Sequence, residues 1–482
     1  MELSRLLPKK YNFYLIFIVI FTLLIVIKLN TLTAPFHWDV MGYAVPTTEA
    51  VYHNGVLIDK SSPINHPPLF FIVHALIWKI FGKSLLVSHL FNIVLGSLGL
   101  TFLFFLAKEL YGSRVAVTAT LLLTFNQIFF SQVGQVYLSI ALMSTAILSV
   151  YFYLKKKYVL YIISASLMLL VKETSVVVLI AIIAFDFLIN LFKKERIGKV
   201  IKRLALAAIP GISLLTWLFS HYLVTGWVYK TEDVFLNEGN YISLLFKNFI
   251  KHLIYDSSLE NVNRVNWIIF LLVIVSTVIF IRKKSYKYEI LFLLIIVGNV
   301  AFFSLTEDLP RYFLIIFPFY LLMGARALVM LANSFKYKNI ILIAVIISIT
   351  VLSVMNYHGT RNTDGWRLES NMEYLDMVRL HKTVGKFIEA KYPHCKVATT
   401  FPLIIAFTEP WYGYVKKPIQ LITFQDIEHY SDVLIVWSSQ SRNYEGIDRF
   451  IELNKKQLKE IRNFYYRGKI VKVYKKKSYT EL

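Results

Sequence analysis

The sequence predicts a polytopic α-helical membrane protein of about eleven transmembrane helices, with interfacial helices in the first outer loop and a C-terminal soluble α/β domain. Three observations lead there. Of 482 residues 56% are hydrophobic, with a mean hydropathy of +0.56, above the roughly 45–50% apolar share of soluble chains. Long apolar runs recur as far as residue 356 and then cease. Between them, strongly basic connectors alternate with long or nearly neutral ones, the pattern of the positive-inside rule. The net charge of +22 is therefore read as orientation against lipid headgroups, and no nucleic-acid partner is expected. A lone Cys395 excludes an intrachain disulfide framework and a cysteine-cluster metal site.

A span needs about 20 apolar residues. The runs place spans at roughly 11–30, 85–107, 115–131, 138–154, 158–171, 175–192, 204–224, 266–281, 290–305, 313–332 and 340–356. The first, "YNFYLIFIVIFTLLIVIKL", is too long for a signal-peptide core and no small-residue cleavage site follows it, so it is retained. The basic connectors are "RLLPKK", "KELYGSR", Lys155–Lys157, "KKERIGKVIKR" and "RKKSYKYE", with Arg326, Lys336 and Lys338. The opposite set is 31–84, "SQVGQVY", "KET", 225–265 and "EDLPRY".

One segment decides the sidedness of all these loops. "NHPPLFFIVHALIWKIFGKS", residues 65–84, is apolar but short. A crossing here would turn "KELYGSR" and every later basic loop outward, against the rule. It is therefore expected to lie in the outer interface as an amphipathic helix. Pro67 and Pro68 would sit in its first turn, and His74 and Lys79 would face the headgroups. The alternative is an extra span offset by a merged pair elsewhere. With eleven spans the N-terminus is cytoplasmic and the remainder is outside, giving a membrane domain at 1–356 and an outer domain at 357–482. In the latter, "EYLDMVRLHKTVGKFIEAKY" and "DRFIELNKKQLKEIRNF" read as helices, and "KVATTF", "DVLIVWSS" and "GKIVKVYKK" as strands. It has no glycine-rich phosphate loop.

Several polar residues fall at the outer side. Asp39 follows the first span closely, where an acid is costly to ionise unless paired or used; a solvated loop or helix-capping Asp is the bland alternative. His66 is held extended before two prolines. Lys172 and Glu173 interrupt an apolar stretch at a tight outer turn, where a lysine can also snorkel harmlessly. Arg311 opens a span, with Glu307 or Asp308 as its local partner in the bland account. His89 and Asn92 lie in the outer half of the second span, and Asp186 lies toward an inner end as a structural residue. One acid among several cations suits a lipid-linked phosphate substrate, with the cations on the phosphate and the carboxylate toward a nucleophile.

The run "WDVMGY…INHPPLFFIVHALIWKIFGKS", followed by "AKELYGSRVAVTATLLLTFNQIFFSQ", resembles the GT-C glycosyltransferases that use polyprenyl-phosphate sugars. The similar branch is that of the protein O-mannosyltransferases and the lipid A aminoarabinose transferase. "LLVKETSVVVL", "RYFLIIFPFYLLMGARAL" and the outer domain extend the likeness over the chain. The resemblance implies transfer of a sugar from a dolichyl- or undecaprenyl-phosphate donor to a protein, lipid or glycan acceptor, with inversion and with Asp39 as the catalytic carboxylate. His66, Lys172, Arg311 and His89 are the candidates for holding the donor phosphate, and His37, Tyr43, Gln132, Gln135, Tyr137 and Glu173 for lining the site. Some members of that family use a divalent metal; His37 and Asp39 would be its ligands here, and two ligands make a weak site. The chain departs from the pattern at Val40, where relatives often carry a second acid. It departs again at Val133-Gly134-Gln135, where they commonly read Glu-Ala-Arg, and at His89, where many have Arg. Those departures motivate one competing reading, a catalytically inactive scaffold. A flippase or transporter is the other, and it predicts mid-span charges and an internal repeat, of which only Asp186 is seen.

Overall fold

The apolar runs form helices that pack side by side, and the polar C-terminal part forms a mixed sheet covered on both faces. The computed structural model describes residues 9–55, 64–228, 270–279, 287–304, 309–355, 371–439 and 444–477. The helical part comprises α1 (Lys9–Lys28), α2 (Val45–Asn54), α3 (Leu69–Phe81), α4 (Leu85–Tyr111), α5 (Ser113–Thr124), α6 (Gln127–Val133), α7 (Leu138–Leu154), α8 (Tyr158–Val171), α9 (Val176–Phe192), α10 (Ile197–Ala208) and α11 (Gly211–Thr225). It continues with α12 (Phe270–Ile279), α13 (Lys287–Phe303), α14 (Phe317–Ala332) and α15 (Lys338–Met355). Among the described residues, Asn12–Thr31 (most of α1 and the turn after it), α4, Glu173–Phe192 (α9 with the 3-10 turn before it) and α15 are long and apolar enough to cross a membrane, six spans in all if each bent pair counts as one. The expected loop 225–265 and the boundary near 356 fall largely or wholly outside the described residues.

Two expected spans are broken. The run 115–131 bends by 65° between α5 and α6, and 204–224 bends by 48° between α10 and α11. At the first break Asn126 caps α6, its side chain accepting from the backbone N–H of Ile128 and Phe129 at 3.1 and 3.2 Å. An Asn side chain at that position ends one helix and starts another, which an apolar run does not reveal. At the second, Pro210 opens α11.

The segment after Asn65 forms α3. At 13 residues it is about 20 Å long, short of the ~30 Å hydrocarbon core. It starts at Leu69, so Pro67 and Pro68 precede its first turn. Phe70, Phe71, His74, Ala75 and Trp78 form its buried stripe, while Leu76, Lys79 and Ile80 are exposed. His74 therefore corrects the expectation that it faces headgroups. It is fully buried, 5.1 Å from the Phe91 ring and 4.4 Å from Trp78, with Nδ1 3.3 Å from the Thr48 hydroxyl. It shares the helix face of Phe70 and Trp78, four residues either side.

α4 is the hub, packing on α1, α3, α5 and α7. Asn92 in its N-terminal half donates to the backbone oxygens of Gln132, Val133 and Gln135 at 2.9, 3.2 and 2.7 Å. One amide thus satisfies the carbonyls left open where α6 ends.

In the C-terminal part, α16 (Tyr374–Lys391) and α18 (Tyr444–Leu453) flank a five-stranded sheet, and the short α17 (Leu403–Thr408) lies between β1 and β2. The strands are β1 (Lys396–Ala398), β2 (Leu421–Ile422), β3 (Val433–Ser438), β4 (Leu458–Tyr466) and β5 (Lys469–Lys476), in the order β2-β1-β3-β5-β4. The β2-β1-β3 part is parallel, and β5 pairs antiparallel with both β3 and β4. The expected helix "DRFIELNKKQLKEIRNF" is corrected: it ends at Leu453, and Leu458–Tyr466 is a strand. Apolar residues at 458, 461 and 464 mimic helical spacing. A register shift between Glu460 and Arg462 instead sends Leu458 and Phe464 to opposite faces of the sheet. Leu458 joins Ala398, Val433 and Ile435, and Phe464 joins the larger core with Val471 and Val473.

Candidate active site

Between α1 and α2 the chain runs Phe36-His37-Trp38-Asp39. Trp38 has φ +44°, the left-handed region, which costs a bulky residue on the order of 1 kcal/mol or more. Its buried indole packs edge-on against Phe401 of the C-terminal part, with centroids 5.0 Å apart. Asp39 then caps a π-helical turn, Val40–Ala44, a geometry frequent at functional sites. Gly42 in that turn permits the approach, because a Cβ there would stand 2.9 Å from the Phe401 ring.

Arg311 reaches Asp39 from the 3-10 turn Pro310–Ile315 between α13 and α14, and the guanidinium pairs with the carboxylate. The Arg311 side chain is 4% exposed, that of Asp39 28%. The guanidinium carbon lies 4.6 Å from the Tyr137 ring centre and 5.6 Å from that of Tyr312, and the Lys172 ammonium is 4.1 Å from the same Tyr312 ring. Burial alone would lower the Arg311 pKa; Asp39, Tyr137 and Tyr312 outweigh it, and the net shift is upward. The expected local partners Glu307 and Asp308 lie outside the described residues.

Beside this pair, His66 Nδ1 lies 3.1 Å from both carboxylate oxygens of Glu173. Glu173 also follows Lys172 directly in the chain, so the carboxylate has a cation on each side. The Tyr43 hydroxyl accepts from the backbone N–H groups of Asn65 and His66 at 3.3 Å each, tying the proline entry to the π-turn. Asp39, Arg311, Tyr137, Tyr312, Lys172, Glu173, His66 and Tyr43 thus form one continuous group.

Four other expected residues are buried as well. His89 is buried, with Nε2 3.0 Å from the Ala34 carbonyl and its ring 5.8 Å from Phe36. It thereby ties α4 to the first loop. Gln132 and Gln135 are buried in the turn held by Asn92, and Gln135 Nε2 donates to Ser131 Oγ at 2.9 Å. Val133 packs on Gly96, so the position where relatives commonly carry an acid faces the helix core here. His37 is buried against Tyr374, centroids 5.8 Å apart. Its burial drives the pKa down to about 4 despite the Asp39 charge. No third His, Cys, Asp or Glu joins His37 and Asp39 as a metal-binding group among the described residues. Sequence reasoning missed Tyr312; its place beside Arg311 in "PRYF" was the available signal.

A carboxylate that solvent can reach, set among buried cations and tyrosine hydroxyls, can take a proton from a hydroxyl while the cations hold an anion.

The family model of dolichyl-phosphate-mannose-protein mannosyltransferases matches residues 65–219. No curated protein sequence matches. Among solved structures, ArnT from Cupriavidus metallidurans bound to undecaprenyl phosphate is similar at 12% identity and a TM-score of 0.55, covering 96% of this chain and 98% of that one. The archaeal oligosaccharyltransferase AglB from Archaeoglobus fulgidus, in complex with an inhibitory peptide and a dolichol-phosphate, is similar at 12% identity and a TM-score of 0.50, covering 86% of this chain and 65% of that one.

Proposed function

Starting from the GT-C fold of this membrane protein, we propose that the chain is a glycosyltransferase moving a sugar from a polyprenyl-phosphate donor to an acceptor hydroxyl on the outer face, with Asp39 as the catalytic carboxylate. The observation that carries this reading is the Asp39–Arg311 pair, with Lys172 beside it at Tyr312. The acid of the first outer loop and the cations sit together, as transfer from a lipid phosphate requires. The relatives' names support the donor class: two solved relatives hold undecaprenyl phosphate or dolichol-phosphate, and the matching family model is named for dolichyl-phosphate-mannose.

The chemistry follows from what these groups can hold. Asp39 accepts the proton of the acceptor hydroxyl as its oxygen attacks the anomeric carbon. The bond from that carbon to the phosphate oxygen breaks on the opposite face, which inverts the centre. The phosphate leaves as a stable anion, so no general acid is needed, and Arg311 and Lys172 neutralise the charge it gains. His66 and Glu173 act one step away, by fixing Lys172 and the Tyr43 turn. This reading takes the eleven-span topology, an inside N-terminus and an outer domain over residues 357–482. Asp39 then faces the outer compartment.

The test is a set of membranes given radiolabelled polyprenyl-phosphate sugars of several kinds. Wild type transfers label from at least one donor. Asp39→Asn, with unchanged expression and melting temperature, loses at least about a hundredfold, the low end for a general base. Wild-type turnover in that variant, or no transfer from any donor, contradicts the reading.

A further inference from the structure

The guanidinium best placed to hold a donor phosphate is already engaged by the carboxylate that must act as base. Arg311 cannot easily leave: its side chain is 4% exposed and lies between the Tyr137 and Tyr312 rings. Asp39, at 28%, is the more exposed partner, with an open side to turn toward, on a π-turn entered through a left-handed Trp38. A carboxylate oxygen occupied by a guanidinium is poorly available to an acceptor hydroxyl. The guanidinium edge that meets Asp39 is a donor face matched in charge and geometry to a carboxylate or a phosphate, so a phosphate seated on that edge takes the place of Asp39.

Resting on the function proposed above, we propose that Asp39 and the donor phosphate compete for Arg311, so that the base is unmasked only when the lipid phosphate is seated. The donor's phosphate, with Lys172 as a second cation, takes the guanidinium. Asp39 swings toward the open side and meets the acceptor. After transfer Asp39 carries the acceptor's proton and is neutral, while the polyprenyl phosphate left behind gains charge and is held by Arg311. Once Asp39 loses that proton it reclaims the guanidinium, and this return displaces the product. Donor therefore binds before acceptor, and product release is coupled to deprotonation of Asp39.

The competition is measurable without knowing the sugar or the acceptor. Binding of a fluorescent short-chain polyprenyl phosphate is compared for purified wild type, Asp39→Asn, Arg311→Gln and the double variant. Competition predicts that Asp39→Asn binds about tenfold more tightly than wild type, within the range of couplings between contacting charges. It also predicts that this gain disappears in the Arg311→Gln background. Equal gains in both backgrounds mean simple repulsion between Asp39 and phosphate, and overturn the proposal, as does no gain in Asp39→Asn. If Arg311→Gln does not fold, Arg311→Lys replaces it: a point charge without the fork should reduce the gain, and an undiminished gain overturns competition. Failure of wild type and every folded variant to bind the lipid is a different result, and removes the proposed function itself.

Discussion

His37 and His381 are buried where the C-terminal part meets the first loop, and both are held neutral. Burial, reinforced by His37, takes the His381 pKa from 6.5 to about 3, and His37 falls to about 4. His381 Nε2 lies 2.9 Å from the Ser438 hydroxyl. Between about pH 3 and 6.5 the unfolded chain protonates these rings and the folded chain does not. The unfolded state then binds more protons, so stability falls as pH drops below 6.5 and is fully present above it. The apparent melting temperature of the purified protein should decline from pH 7 to 5, and His37→Asn with His381→Asn should flatten that decline. An unchanged slope in the double variant would show that the histidines are not its source. At this scale the sequence was legible wherever a polar residue interrupted an apolar run, as Asp39, Lys172 and Arg311 do. It was silent on pairing: Asp39 and Arg311 are 272 positions apart, and local partners for Arg311 were equally plausible. Burial of His74 and His89 was also hidden, because a histidine on an apolar helix face can point either way.

At the far end of the helices from Asp39, three elements are locked by one buried network. Glu289 of α13 pairs with Arg326 of α14 and accepts from the Tyr111 hydroxyl of α4 at 2.7 Å, and the Arg326 guanidinium lies 4.2 Å from the Tyr111 ring centre. Glu289 is 2% exposed. Breaking a buried pair strands a charge at a cost of about 3–5 kcal/mol. Arg326→Leu should therefore lower the melting temperature sharply, and Arg326→Leu with Glu289→Leu should recover much of it; a mild single variant would contradict a structural lock. Helices as elements were legible because apolar length marks them. The break at Asn126 was not, since one capping side chain interrupts the helix while the run as a whole stays apolar enough to pass as a span. Strand β4 was misread for a related reason: a bulge lets a strand carry apolar residues three apart.

Taken whole, the molecule seats the helices and turns of its C-terminal part on the loop that bears Asp39. Tyr414 donates to the Phe36 carbonyl at 2.6 Å, Trp411 packs on Phe36 and Trp78, and Lys28 at the end of α1 reaches Met372 at 3.5 Å while lying 3.4 Å from the Phe130 ring centre. The C-terminal part was legible from its change in composition; its seat on the first loop was not, because the contacts join residues more than three hundred positions apart. The same seat makes sidedness a single question. Carboxylate, cations and C-terminal sheet share one compartment, and transfer from an outward-facing lipid sugar requires that compartment to be outside. The most direct measurement places one cysteine at Lys477 in a Cys395→Ser background and treats intact cells with a membrane-impermeant maleimide. The account predicts labelling before permeabilisation. Labelling only after the membrane is opened would put Asp39 on the cytoplasmic side and contradict it.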